Sequence, residues 1–110
     1  MIQTSSPSRR AMTKSGTYTG NGADNRNIDI GVDWTIKKNC YVIIKGVGAL
    51  VCCQKFDYGQ GELTWYFTTA VDQPTDSIQA FVSVGFQIGT HASVNTNAVV
   101  YRYIVFWEEP

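Results

Sequence analysis

A chain of 110 residues, 44% of them apolar, is long enough to form one domain around its own core without a metal or disulfide staple. Nine basic residues balance nine acidic ones, so no global field draws the protein to nucleic acid or to an anionic membrane. No apolar run approaches the ~20 residues that cross a bilayer, and residues 1–14 lack the apolar segment of a secretory signal, so the expectation is a soluble, unprocessed chain.

Residues 1–15 differ in composition from the rest. Arg9, Arg10 and Lys14 occur there without an acid, among Ser, Thr and one proline, and such a stretch buries too little to fold by itself. It reads as an extended N-terminal arm whose three cations bind a partner. Residues 16–110 read as the domain.

Short strands and turns follow. Gly16 to Gly20 is a brief strand, and Asn21 to Asn25 has the Asn, Gly and Asp of a tight reversal. From Asn27 to Val32, Ile28, Ile30 and Val32 alternate with polar residues, the pattern of a half-buried strand. Cys40 to Lys45 is almost continuously apolar and is expected to be buried on both faces. Ala49 to Phe56 is the next strand, residues 57–61 close a turn, and Leu63 to Thr69 is rich in types that favour a pleated surface. A cap at Thr75 or Asp76 makes a helix conceivable over Thr75 to Val82, but the segment is short, and a strand from Ser77 to Val82 turning into Gly85 to Gly89 is preferred.

The stretch from Val84 to Trp107 has two apolar runs around a Gly/Asn/Thr/Ser connection, which predicts a hairpin with a wide turn. In its second run Val99, Tyr101, Tyr103, Val105 and Trp107 share one face, and Val100, Arg102, Ile104 and Phe106 share the other. A strand apolar on both faces is central or faces a partner, and Arg102 is its one inconsistency, a place for a buried ion pair or a subunit contact. About eight short strands with turn signals between them predict an all-β domain, an antiparallel β-sandwich or flattened barrel.

Reaction chemistry is hard to assemble from these residues. His91 is the single histidine and lies in a turn, where a solvated loop residue is the plain expectation and a catalytic triad the remote one. Cys40, Cys52 and Cys53 lack metal-ligand spacing. Cys52 and Cys53 must point to opposite sides of a strand, one into the core and one toward solvent or a neighbouring subunit. Three reduced thiols are expected, with an inter-subunit cross-link as the alternative. Asp24, Asp29 and Asp33 suggest a loose calcium site but serve equally well as turn formers. No catalytic residue, metal or cofactor is therefore expected. Trp34 and Tyr58, flanked by polar and turn residues, are the aromatics expected to be exposed, as contacts for a glycan or an interface.

Gly16-Thr17-Tyr18-Thr19-Gly20-Asn21-Gly22-Ala23-Asp24-Asn25-Arg26, Tyr41-Val42-Ile43-Ile44-Lys45, Gly85-Phe86-Gln87-Ile88-Gly89, Val94-Asn95 and Tyr101 together resemble a small β domain that recurs in tailed-bacteriophage virion proteins. The chain departs from that pattern at Asp33 to Asn39, where a proline-containing connection is usual, and at Asn97-Ala98, where a turn glycine is usual. The resemblance implies a non-enzymatic virion structural protein, made in the host bacterial cytoplasm. The favoured role is capsid decoration, binding other virion proteins and its own copies through the arm and an apolar face. The alternative is a tail-associated or carbohydrate-binding adhesion module.

Overall fold

The structure, a computed structural model, describes residues 10–48, 52–56, 64–67 and 75–109. In chain order these form β1 (Arg10–Thr19), β2 (Arg26–Asp29), a 3₁₀ turn (Trp34–Ile36), β3 (Lys38–Gly46), β4 (Cys52–Phe56), β5 (Trp65–Tyr66), β6 (Ile78–Val82), β7 (Gly85–Ile88), a one-turn helix α1 (Ala92–Asn95) and β8 (Val100–Glu109). The strands make two antiparallel sheets. The larger has the order β1-β8-β3-β4-β5 and the smaller β2-β7-β6, so the fold is all-β and sandwich-like, as the strand spacing predicts.

The core lies between the sheets and follows the period of two in each strand. The large sheet contributes Cys40, Val42 and Ile44 from β3 and Tyr101, Tyr103, Val105 and Trp107 from β8. The small sheet contributes Ile28, Ile78, Phe86 and Ile88. Phe86 meets Tyr103 edge-on at 5.4 Å between centroids, and Tyr18 stacks on Tyr101 at 5.3 Å. Each large side chain so removed from water contributes about 1.5–3 kcal/mol.

Three expectations need correction. The arm was expected to end at residue 15, but β1 starts at Arg10 and pairs with β8 in unbroken register from Arg10 opposite Glu109 to Thr19 opposite Val100. Residues 10–15 therefore belong to the sheet. Cys40 to Lys45 is not covered on both faces: Cys40, Val42 and Ile44 are buried, whereas Tyr41 and Ile43 are half-buried on the outer side. The described residues make two layers, so each sheet has one face covered by the other.

The expected hairpin of β7 and β8 is the third. β7 pairs with β2 and β6, and β8 with β1 and β3, so the connection crosses from one sheet to the other. Buried Asn95 explains the crossing. Its Nδ2 donates to the carbonyls of Ala23 (2.7 Å) and Gly89 (3.0 Å). Its Oδ1 accepts from the Asn21 amide (3.0 Å) and the Arg26 guanidinium (3.2 Å). One side chain thereby ties the 21–26 turn to the crossing. Gly20 is held beside it, where an added Cβ would lie 2.0 Å from the Thr96 carbonyl oxygen.

Candidate functional site

The pairing register sets the outer face of the large sheet out in rows across the strands. Thr13, Phe106, Tyr41 and Phe56 make an aromatic row. Ser15, Ile104, Ile43, Gln54 and Trp65 make the next, with two isoleucines side by side. Thr17, Arg102, Lys45 and Cys52 follow, and then Thr19 and Val100, with Val47 continuing the alternation beside Val100. The Tyr41 ring stacks on Phe56 at 4.5 Å and on Phe106 at 6.0 Å, so three strands share one aromatic strip.

Seven large apolar side chains stand exposed among the described residues, and six of them, all but Ile36, continue this face: Val47, Phe56, Phe67, Val100, Ile104 and Phe106. Single exposed apolar residues are ordinary, but a contiguous group marks an interaction surface. The smaller sheet presents Asn27, Asp29 and Gln87 outward instead, with Gln87 donating to Asn27 at 3.1 Å. Among the described residues, the large exposed aromatics are thus confined to one side of the sandwich.

Charge lies inside that patch. Lys45 and Arg102 are direct cross-strand partners, flanked by the isoleucine row on one side and the valines on the other. Arg102 is exposed and makes no ion pair or hydrogen bond among the described residues. The expected buried ion pair is therefore not what holds it. Cys52 stands beside Lys45 on this face while Cys53 is buried, as their opposite directions require. Burial raises the pKa of the Cys52 thiol, partly offset by the Lys45 ammonium. It raises the Tyr41 hydroxyl as well, with a smaller contribution from Cys52.

The other sequence candidates fall elsewhere. Trp34 is buried, not exposed: Asp33 caps the 3₁₀ turn, and the indole packs edge-on against Phe81 at 4.8 Å and Trp107 at 6.4 Å. Its polar sequence neighbours misled because one short turn drops the ring into the core. Tyr58 and Arg9 lie outside the described residues. Arg10 is exposed at the start of β1, and Lys14 donates from its ammonium to the Ile30 carbonyl at 2.6 Å, joining β1 to the smaller sheet's side.

His91 is a helix cap and not a solvated loop residue. Its Nδ1 accepts the Ser93 amide at 3.0 Å and lies 2.8 Å from Ser93 Oγ, which shares a 2.8 Å hydrogen bond with Ser77 Oγ. The serines are buried, so these contacts close the start of α1 and offer no hydroxyl to a substrate. Nearby Cys53 has its thiol pushed up to about 12, first by burial, so it is no thiolate nucleophile at neutral pH. Asp24, Asp29 and Asp33 accept from Asn25, Gly31 and Thr35 amides within their own turns. Turn formation accounts for Asp29 and Asp33, and Asp24 also accepts from Gln79 Nε2 at 3.0 Å, which ties its turn to β6.

Sequence reasoning therefore missed Tyr41, Phe56, Lys45 and Ile43 as surface residues. The available signal was that two strands, β3 and β8, are apolar on both faces. Comparison of the chain with protein-family models, with curated proteins and with solved structures returns no match at any of the three.

Proposed function

We propose that this protein is a non-enzymatic structural component of a tailed-bacteriophage virion, with capsid decoration the favoured role, and that it binds neighbouring subunits through the outer face of its five-stranded sheet. The observation that carries this reading is the exposed aromatic and aliphatic face, Phe106, Tyr41, Phe56, Ile104 and Ile43, set against the polar outer face of the smaller sheet. A contiguous exposed apolar surface of that kind is the mark of an interaction site. The resemblance of Gly16 to Phe106 to phage virion domains supplies the setting. Of the three cations expected to bind a partner, Arg10 is exposed at the start of the same sheet's edge strand and is available to acidic surfaces in that reading. Lys14 is engaged by the Ile30 carbonyl, and Arg9 lies outside the described residues.

The test is particle composition. Phage particles purified on a density gradient should carry the protein in hundreds of copies for a lattice component, and in a few for a tail or vertex component. Phe106→Asp should abolish incorporation while the domain stays folded. Particles assembled at full yield with no copy of the protein would end the proposal.

The stacked row Phe56, Tyr41 and Phe106 favours one other reading, an adhesion module in which the rings form a platform for a sugar. A glycan array comparing the wild type with Tyr41→Ala separates the two, and no binding to any glycan removes this second reading.

A further inference from the structure

We propose that two copies of this chain join edge to edge through β1, each β1 pairing antiparallel with the other about a two-fold axis at Ser15, so that two five-stranded sheets become one. This contact goes beyond the virion reading and does not rest on it.

β1 is an edge of the larger sheet. Among the described residues it pairs with β8 alone, over ten residues and without a break in register. The Gly20 amide donates to the Val99 carbonyl at 2.8 Å. In an antiparallel ladder the N–H and C=O of one residue point to the same side, and that side alternates along the strand. The even-numbered residues of β1 therefore bond to β8, and Ala11, Thr13, Ser15, Thr17 and Thr19 turn theirs to the open side. The Thr19 carbonyl bears this out, because the Arg26 guanidinium reaches it there at 2.7 Å. Arg26 closes that end of the edge and leaves Thr13, Ser15 and Thr17 as its open rungs.

A long edge is usually guarded by a proline, a bulge or an inward-facing charge. From Thr13 to Thr17 there is neither proline nor bulge. Lys14 is the one charge in that stretch, and its ammonium is engaged on its own chain, donating to the Ile30 carbonyl at 2.6 Å.

The occupant follows from the order Thr13-Lys14-Ser15-Gly16-Thr17. Its exposed side chains on the outer face, Thr13, Ser15 and Thr17, read alike from either end, as a patch that meets itself across a two-fold axis must. With the axis at Ser15, Ser15 faces its own copy and each Thr13 faces Thr17 of the second copy, a favourable cross-strand pair. About six backbone hydrogen bonds then join groups that already point across the edge.

Charge selects this register over its neighbours. An axis at Lys14 sets the two lysines face to face. An axis at Gly16 sets each lysine opposite Tyr18, whose ring has the Arg26 guanidinium 5.4 Å from its centroid. At Ser15 each lysine stands opposite Gly16, which adds no side chain. The Tyr103 hydroxyl occupies the space that a Cβ on Gly16 would fill, and the Asp29 carboxylate acts on that hydroxyl, so each lysine approaches an acidic neighbourhood of the second copy.

Seven residues, Met12 to Tyr18, make a contact about 24 Å long. It is narrower than a standard interface, and a dissociation constant on the order of 100 μM fits it. The aromatic and isoleucine rows of both copies then share one side of a single sheet, still open to other partners.

Sedimentation equilibrium of the full chain at low salt, from about 5 μM to about 1 mM, should show a mass rising toward that of a dimer. Ser15→Pro removes an N–H that points away from β8, where an edge strand accepts proline. It should keep the near-UV spectrum and weaken association at least tenfold. Thr13→Lys combined with Thr17→Lys sets like charges opposite each other across the axis and should weaken association about tenfold. Thr13→Lys combined with Thr17→Glu sets opposite charges there and should tighten it at least threefold over the wild type. Both positions are exposed, so this pair of variants decides the matter even if the proline variant does not fold. A chain that stays monomeric throughout overturns the proposal. So does a folded Ser15→Pro that associates like the wild type, or a Lys/Glu variant no tighter than the Lys/Lys one. A monomeric protein that still joins particles would remove this inference and leave the virion reading, and a dimer of this kind found in no particle would do the opposite.

Discussion

Lys45 on β3 and Arg102 on β8 face each other directly across the centre of the large sheet, two like charges in one cross-strand pair. Such pairs oppose folding, and replacing one member with an acid turns repulsion into attraction worth about 0.2–1 kcal/mol. Lys45→Glu should therefore stabilise the isolated domain by that amount. Urea denaturation at low protein concentration, where association does not contribute, checks it, and the gain should shrink as salt is added.

Asn95 offers a larger effect of the opposite sign. Its side chain makes hydrogen bonds to four groups, the Ala23 and Gly89 carbonyls, the Asn21 amide and Arg26. Asn95→Ala leaves at least two of these without a partner in a buried place, at about 1–3 kcal/mol per group. A loss of about 3 kcal/mol or more is expected in equilibrium unfolding. Asn95→Asp should also be destabilising, because both donors disappear while the acceptor remains.

Ala98 holds φ of 68° in the turn before β8, a left-handed conformation that costs an L-residue with a Cβ about 1–2 kcal/mol. Ala98→Gly should raise stability by about 1 kcal/mol after the extra freedom of glycine in the unfolded chain is counted. Thermal unfolding gives the sign at once.

Glu109 accepts from the Lys37 ammonium at 2.6 Å and from the Trp107 indole at 2.7 Å. These two hydrogen bonds, Lys37 first, hold its carboxyl below the ordinary carboxylate range. A pKa lower in the folded than in the unfolded state stabilises the fold above the unfolded value, and that contribution disappears as the pH falls through the folded one. Glu109→Gln should flatten the acid side of the stability profile and leave its neutral side lower. Since the group is at the surface, salt should reduce the difference.

The thiols should separate by position. Cys40 and Cys53 are buried, and Cys52 is half-buried on the outer face. Alkylation of the native protein at mildly alkaline pH should modify Cys52 alone, and denaturant should release the other two. Peptide mass mapping before and after unfolding identifies each.

The alternation of Ile28 and Ile30 and of Tyr101, Tyr103, Val105 and Trp107 was legible in the sequence because a strand's period of two is a local property. The crossing after β7 was not. It depends on Asn95 bonding to residues some seventy positions earlier, and a polar residue in a turn-like run carries no mark of that reach. The rows of the candidate site were hidden for the same reason: Ile43 and Ile104 become neighbours only through pairing register. Trp34 shows the limit of judging exposure from adjacent residues, since its polar flanks stay outside while the ring enters the core.

The last strand in sequence is an inner strand of the larger sheet, with β1 on one side and β3 on the other. Until β8 has left the ribosome, β1 and the β3–β4 pair have no strand in common. Closure then requires contacts between β1 and β8, roughly ninety residues apart in sequence, the kind that make folding slow. During that interval the edges of β1 and β3 are both open. A growing chain is therefore most prone to pairing with the wrong neighbour before β8 emerges, and changes that delay β8 should reduce yield more than they reduce the stability of the finished fold.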